Sequence, residues 1–343
     1  MSAVAPPITP TLLTEIKCPF RYFLGNVWQH ELNIPQSIEP VTGAVMHRQM
    51  HDYYTKRWTD ASTFVVAFTW FLRRRVEEAL KLHINPWLAL YGDSEMLQRE
   101  YSPFSIRENE ALAKIAMRQF FEARRKSQKR PWALEHPLLS EMNGLELSAR
   151  VDAIFVTQGL DWVQGDQMAL SPNLSQILVV DYKTGSRPPA ESDIRNSAQF
   201  RMYTFALRDY VGVLKLAIYN PRQPKGYQYI QLDARELNLS VLQKEVLEAA
   251  ESIAFWQGQE RWPPHPYQNR CQWCEYQVPC PHYTGLNGSG RIVYRDEQSQ
   301  GMPLNWASLE GVELAELIAA KTGLKKPQPK LTPRHPDQLS LWL

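Results

Sequence analysis

Cysteine is scarce in this sequence, with four in 343 residues. That is too few for the disulfide framework of a small secreted domain. Neither charge predominates: 38 Lys+Arg stand against 36 Asp+Glu, a net of +2. This excludes a protein that holds nucleic acid by bulk charge, although a local basic groove stays open. No apolar run nears the roughly 18 residues that a membrane span requires, so no membrane partner is expected. The stretch MSAVAPPITP has no basic region followed by an apolar one, and no signal peptide is expected there. No internal repeat is visible, and the phosphate-loop pattern G-x-x-x-x-G-K-S/T is missing, so no motor of that kind is encoded. The expectation is a reducing, cytoplasmic setting in which the four cysteines serve something other than disulfides.

What is present belongs to a folded protein, with 44% hydrophobic and 11% aromatic residues. At about 150 residues per domain, the length suggests about two domains or one large one with insertions. Residues 8–24 suggest a short helix capped by Thr11 or Thr14 and broken at Pro19. Further helices are expected over 42–58, 60–92 and 105–130, the last two as a helical insertion. After Pro137 the pattern changes. Residues 145–157 and the apolar run 176–183 suit strands, the second a buried central one. A helix over 191–210, strands over 213–220 and 226–233 around Asn220-Pro221, and helices over 234–257 and 305–322 complete a mixed α/β core.

The strand 176–183 ends in Asp181-Tyr182-Lys183. Residues i and i+2 of a strand share a side, so a carboxylate and an ammonium stand together there. Such a pair can hold a divalent metal and stabilise charge on a phosphate, or be a plain surface ion pair. Asp152 lies in the apolar strand SARVDAIF, where a carboxylate without a cation is costly. Gln199 and Tyr203 stand four apart on one helix face, as do Gly43 and His47 on another.

In this order, G-x-x-x-H, an isolated Asp, D-x-K and Q-x-x-x-Y resemble the motifs of the RecB-like branch of the PD-(D/E)XK nucleases. TPTLLTEIKCPFRYFL is similar to that branch's first helix, and Glu135 in WALEHPLL resembles a Glu often placed before its second motif. The glycine common before the Asp of that motif is replaced here by Ser148-Ala149-Arg150. The resemblance implies a restriction-endonuclease-like mixed sheet flanked by helices. It implies DNA ends or single strands as substrate, with phosphodiesters cleaved in repair or recombination. It also implies Mg2+ or Mn2+ held by His47, Asp152, Asp181 and the Tyr182 carbonyl. Lys183 would position the attacking water, with Gln199 and Tyr203 steadying that region. A helicase, if one takes part, would be a separate chain.

Cys271, Cys274 and Cys280 form C-x2-C-x5-C, with Cys18 more than 250 residues upstream. Spacing alone suits Zn2+ or an iron–sulfur cluster. The resemblance extends to the AddB nuclease domain and to CRISPR adaptation nucleases, and it implies a 4Fe–4S cluster that staples a C-terminal cap onto the first helix. Cations cluster at Arg73, Arg74 and Arg75 and at Lys114, Arg118, Arg124, Arg125, Lys126, Lys129 and Arg130, where a strand of DNA could track. Beyond the proline-rich KKPQPKLTPRHPD lies QLSLWL. It is similar to the bacterial sliding-clamp-binding motif, with Gln338 at the pocket rim, Leu339 beside it, and Leu341 and Trp342 filling the pocket. The expected layout is a nuclease domain over 1–284, a helical extension over 285–324 and the tail 325–343. Within the nuclease domain the insertion spans about 60–130 and the cluster segment 262–283. Two other readings fit part of the pattern: a non-catalytic DNA-binding or clamp-bound adaptor, and a CRISPR spacer-acquisition nuclease.

Overall fold

The computed structural model describes residues 7–27, 37–56, 58–81, 101–127, 129–158, 174–259, 262–265, 271, 274, 283–286 and 292–294. Five strands form one sheet: β1 Ala133–Met142, β2 Leu145–Gln158, β3 Leu174–Tyr182, β4 Val211–Tyr219 and β5 Tyr229–Asp233, in that spatial order. All neighbours are antiparallel except β3 and β4. That parallel pair needs a crossover. It is made by α6 (Glu191–Arg195) and α7 (Ala198–Leu207), so the expected single helix 191–210 is two. Ser197 divides them by capping α7, its hydroxyl accepting from Phe200 N at 3.4 Å.

One face of the sheet carries α1 (Pro10–Glu15), α2 (Pro19–Tyr22), α7 and α8 (Leu239–Gln259), packed on Val151, Ile154, Ile177, Val179, Leu216 and Ile218. The other carries α3 (Ile38–Thr55), α4 (Ala61–Ala79) and α5 (Pro103–Ser127), packed on Ala153, Phe155, Val180, Tyr182, Ala217 and Tyr219. The two helices expected as an insertion, α4 and α5, share this layer with α3. Without them the rings of Phe155 and Tyr219 would face water.

Several boundaries differ from expectation. The cap of α1 is Thr9, whose Oγ1 accepts from Leu12 N at 3.1 Å, not Thr11 or Thr14. Pro19 opens α2 at its first position, where its missing N–H costs nothing. Strand β1 was not expected at all. Pro137 within it is tolerated because β1 lies at the sheet edge. Beyond α8, β6 (Tyr283–Leu286) pairs with β7 (Ile292–Tyr294). The helix over 305–322 and the tail 325–343 lie outside the described residues. No described helix is long and apolar enough to cross a membrane.

Candidate metal centre

Strand β2 carries the central distortion. Leu147, Ala149 and Val151 pack into the first core, whereas Ala153 and Phe155 pack into the second. The alternation therefore changes phase at Asp152. Opposite it on β1 stands Glu135, a non-glycine residue at φ 47, in the left-handed region. Strain of this kind gathers at functional sites. Here it brings the Glu135 and Asp152 carboxylates together with His47 of α3. One donor atom from each of these three lies within 4.8 Å of the other two.

His47 Nδ1 is 3.7 Å from Asp152 Oδ2. The same oxygen accepts from Tyr182 N at 2.6 Å. Burial foremost, then the neighbouring charge of Asp181, pushes the Asp152 carboxyl well above the usual carboxylate range. Burial also lowers His47, leaving a neutral imidazole suited to ligation, and it raises Glu135. Asp181 is 1% exposed. Its Oδ2 has the Lys183 ammonium at 2.8 Å as counter-charge but no well-aligned hydrogen bond. A neutral imidazole beside the half-buried carboxylates of Glu135 and Asp152 is a hard oxygen-and-nitrogen donor set that could hold a divalent metal ion. The sequence-based set had Asp181 as a ligand. The structure brings Glu135 into the group of three and engages Asp181 with Lys183.

Lys183 is positioned through a relay. Burial works against its charge, but the pull of Asp181 prevails and raises its pKa. Its Nζ donates to Gln199 Oε1 at 3.3 Å. Gln199 Nε2 donates to Tyr203 Oη at 2.5 Å, and Tyr203 Oη donates to the Arg150 carbonyl at 2.5 Å. Tyr203 thus fixes which end of the Gln199 amide meets the lysine, and it ties α7 to β2 two residues from Asp152. Gly43 has a role of its own. A Cβ there would come within 2.7 Å of Thr184 Oγ1, so the missing side chain lets α3 close on the loop after Lys183.

Sequence reasoning missed how that loop is held. Asn220 Nδ2 donates to the Gly185 carbonyl, Arg222 Nη1 to Thr184 and Gln223 Nε2 to Ser186. Only the turn signal Asn220-Pro221 was visible, and polar residues in a turn do not declare a distant partner.

The expected basic groove is reduced. Arg73 makes a two-pronged pair with Glu110, which Lys114 joins. Arg74 and Arg75 both pair with Glu78. Arg124 is spread over the Tyr219 ring at 4.6 Å. Arg118, Arg125, Lys126, Lys129 and Arg130 are exposed.

On the first face, Cys18 Sγ accepts from His265 N at 3.4 Å, and Trp262 packs on Tyr22 at 5.4 Å between ring centres. Cys271 and Cys274 are half-buried, with Cys274 N donating to the Cys271 carbonyl. Cys280 lies outside the described residues, as do Gln338, Leu339, Leu341 and Trp342.

The family profile described as the PD-(D/E)XK nuclease superfamily matches residues 11–281. The chain belongs to the PD-(D/E)XK nuclease superfamily. Its sheet and flanking helices are consistent with the PD-(D/E)XK fold, and membership implies a nuclease that cleaves phosphodiester bonds. No curated protein matches the chain. Among solved structures, the crystal structure of SSO0001 is similar over 69% of this chain and 94% of its own, with 14% identity and a TM-score of 0.28. That likeness is too slight to add to the superfamily match.

Proposed function

We propose that the protein is a RecB-like deoxyribonuclease that hydrolyses DNA at ends or in single strands, as an exonuclease in repair or recombination. The observation that supports this best is the meeting of His47 in the middle of α3, Asp152 in the middle of β2, and Asp181 and Lys183 at the end of β3. His47, Asp152, Asp181 and the Tyr182 carbonyl would hold Mg2+ or Mn2+, with Glu135 as a further carboxylate. A divalent ion in such a site lowers the pKa of bound water and offsets phosphate charge. The chain's own groups do the rest. Lys183 keeps its proton beside Asp181 and supplies a fixed positive charge where the transition state gains negative charge. Gln199 and Tyr203 hold its ammonium in place.

The four cysteines, Cys18, Cys271, Cys274 and Cys280, would hold a 4Fe–4S cluster that ties α2 to the segment after α8. The contact between Cys18 and His265 supports that placement. The C-terminal Gln338, Leu339, Leu341 and Trp342 would engage a sliding clamp, and any helicase would be a separate chain.

The deciding assay uses end-labelled single- and double-stranded DNA with Mg2+ or Mn2+, comparing wild type with Asp181→Ala and Lys183→Ala. Each substitution should cut cleavage by about 100-fold or more. Metal-dependent cleavage that survives both substitutions would overturn the assignment.

A further inference from the structure

Helix α5 ends in the run Arg124-Arg125-Lys126. Arg125 and Lys126 are exposed, but Arg124 is half-buried. Its guanidinium lies over the Tyr219 ring at 4.6 Å, with the Phe120 ring at 5.6 Å and the Phe155 ring at 6.0 Å. The titratable groups that act on it most are Tyr54, Tyr182, Tyr219 and Tyr229. Among the described residues no carboxylate pairs with it, whereas Arg73, Arg74 and Arg75 have Glu110 and Glu78.

This cage is rich in donors and short of an acceptor. Arg124 Nε is buried and makes no hydrogen bond. The Tyr219 hydroxyl is also buried without a partner, in a residue only 5% exposed. Tyr54 Oη and Tyr182 Oη stand 3.4 Å apart, so one of their two protons has the other oxygen as acceptor and one does not. Burial raises the pKa of Tyr54, Tyr182 and Tyr219. These phenols therefore stay neutral near pH 7 and supply no counter-charge. Ring faces attract a guanidinium, but a buried cation is costly unless it is paired. The missing partner is an anion with several acceptor oxygens, which is the chemistry of a phosphate group.

The cage lies one strand along from the metal centre. Tyr182 and Tyr219 are register partners on β3 and β4, and Tyr182 stands between Asp181 and Lys183. The His47 ring is 6.4 Å from the Tyr182 ring, which is 6.2 Å from the Tyr219 ring. We infer that Arg124 and Tyr219, with Tyr54 beside them, bind a phosphate group of the nucleic-acid strand other than the one that is cleaved. That the strand is a substrate rests on the nuclease reading; the anion site rests on the caged guanidinium and the orphaned hydroxyl.

The test separates binding from turnover and from folding. An oligothymidylate with a 3′ fluorophore is titrated with the full chain in EDTA at several salt concentrations and followed by anisotropy. Arg124→Gln should bind about tenfold more weakly. Its plot of log affinity against log salt should be shallower by about 0.7, the share of one phosphate on a single strand. Tyr219→Phe deletes only the orphaned hydroxyl, and it carries the test if Arg124→Gln unfolds the chain. A purely structural role would not miss that hydroxyl, so Tyr219→Phe should melt no lower than wild type. It should nevertheless bind about fivefold more weakly, and this loss should vanish on a methylphosphonate strand, which has no backbone charge. An unchanged salt slope in folded Arg124→Gln, or affinity of Tyr219→Phe within about twofold of wild type, would overturn the site. Strands with a 5′-phosphate and a 5′-hydroxyl distinguish the source. A loss confined to the first assigns the site to a terminal phosphate, and an equal loss on both assigns it to an internal one. Weakened binding in a chain without metal-dependent cleavage would leave the site standing and remove the nuclease reading. Cleavage with unchanged binding would do the reverse.

Discussion

At the residue scale, Asp152 sets a conflict between stability and chemistry. Its carboxyl is raised in the fold by burial and then by Asp181. A group raised above its unfolded value gives stability that is present at low pH and is lost as pH rises through the folded value. The metal-free protein should therefore weaken as pH climbs past that point, and a divalent ion should restore it. Asp152→Asn keeps an oxygen for Tyr182 N and removes the charge. It should raise the metal-free melting temperature at neutral pH by about 2 °C or more while cutting cleavage by about 100-fold or more. Calorimetry in EDTA checks the first outcome; a drop would mean that Asp152 is well paired without metal. Mn2+ affinity should fall as pH is lowered, because the ion must displace the Asp152 proton. Titration at two pH values reads this directly, and equal affinities would refute it. Sequence spacing located Asp152, Asp181 and Lys183, since a carboxylate in an apolar run stands out. It gave no sign that Glu135 is left-handed, because φ depends on what the strand meets.

At the element scale, the close approach of α3 to the loop after Lys183 can be tested at Gly43. In a helix interior, Gly→Ala ordinarily gains about 0.5–1 kcal/mol. Here the new methyl meets Thr184 Oγ1, and either α3 or the loop must yield. Gly43→Ala should therefore lower cleavage by about tenfold or more with little change in melting temperature. Adding Thr184→Ala, which removes the obstructing hydroxyl, should restore most of the activity. Failure of that second change would place the defect elsewhere. Helical stretches were legible because α4 and α5 repeat their apolar positions at helical spacing, with Asp60 capping α4. Strand β1 was not legible. Its proline argues against a strand unless the strand is known to lie at an edge, and edge position is a property of the assembled sheet. The break between α6 and α7 was missed for a similar reason, since Asn196-Ser197 suits a helix surface as well as a boundary.

At the scale of the whole molecule, the cysteines make the boldest claim. Protein purified anaerobically should be brown and carry iron and sulfide. Cys271→Ser should lose both and should open residues 7–27 to protease at a lower temperature than in wild type. A colourless wild type that resists protease equally would end the cluster reading. The run of arginines in the sequence proved a poor guide to surface charge, because Arg73, Arg74 and Arg75 are matched by Glu110 and Glu78 close by.

Residues 7–27 also have a bearing on how the chain assembles during synthesis. Ile8 is bridged in parallel to Leu147, with Ile8 N donating to the Glu146 carbonyl and Ser148 N to the Ile8 carbonyl. Phe20 N donates to the Pro263 carbonyl further on. These segments leave the ribosome early, yet their partners emerge long afterwards. At roughly 5–20 residues per second, the interval is on the order of ten seconds or more. For that time Leu12, Leu13, Phe20 and Tyr22, all destined for burial, have no core to join. The α1–α2 segment should therefore be seated only after residues 147 and 263 have emerged.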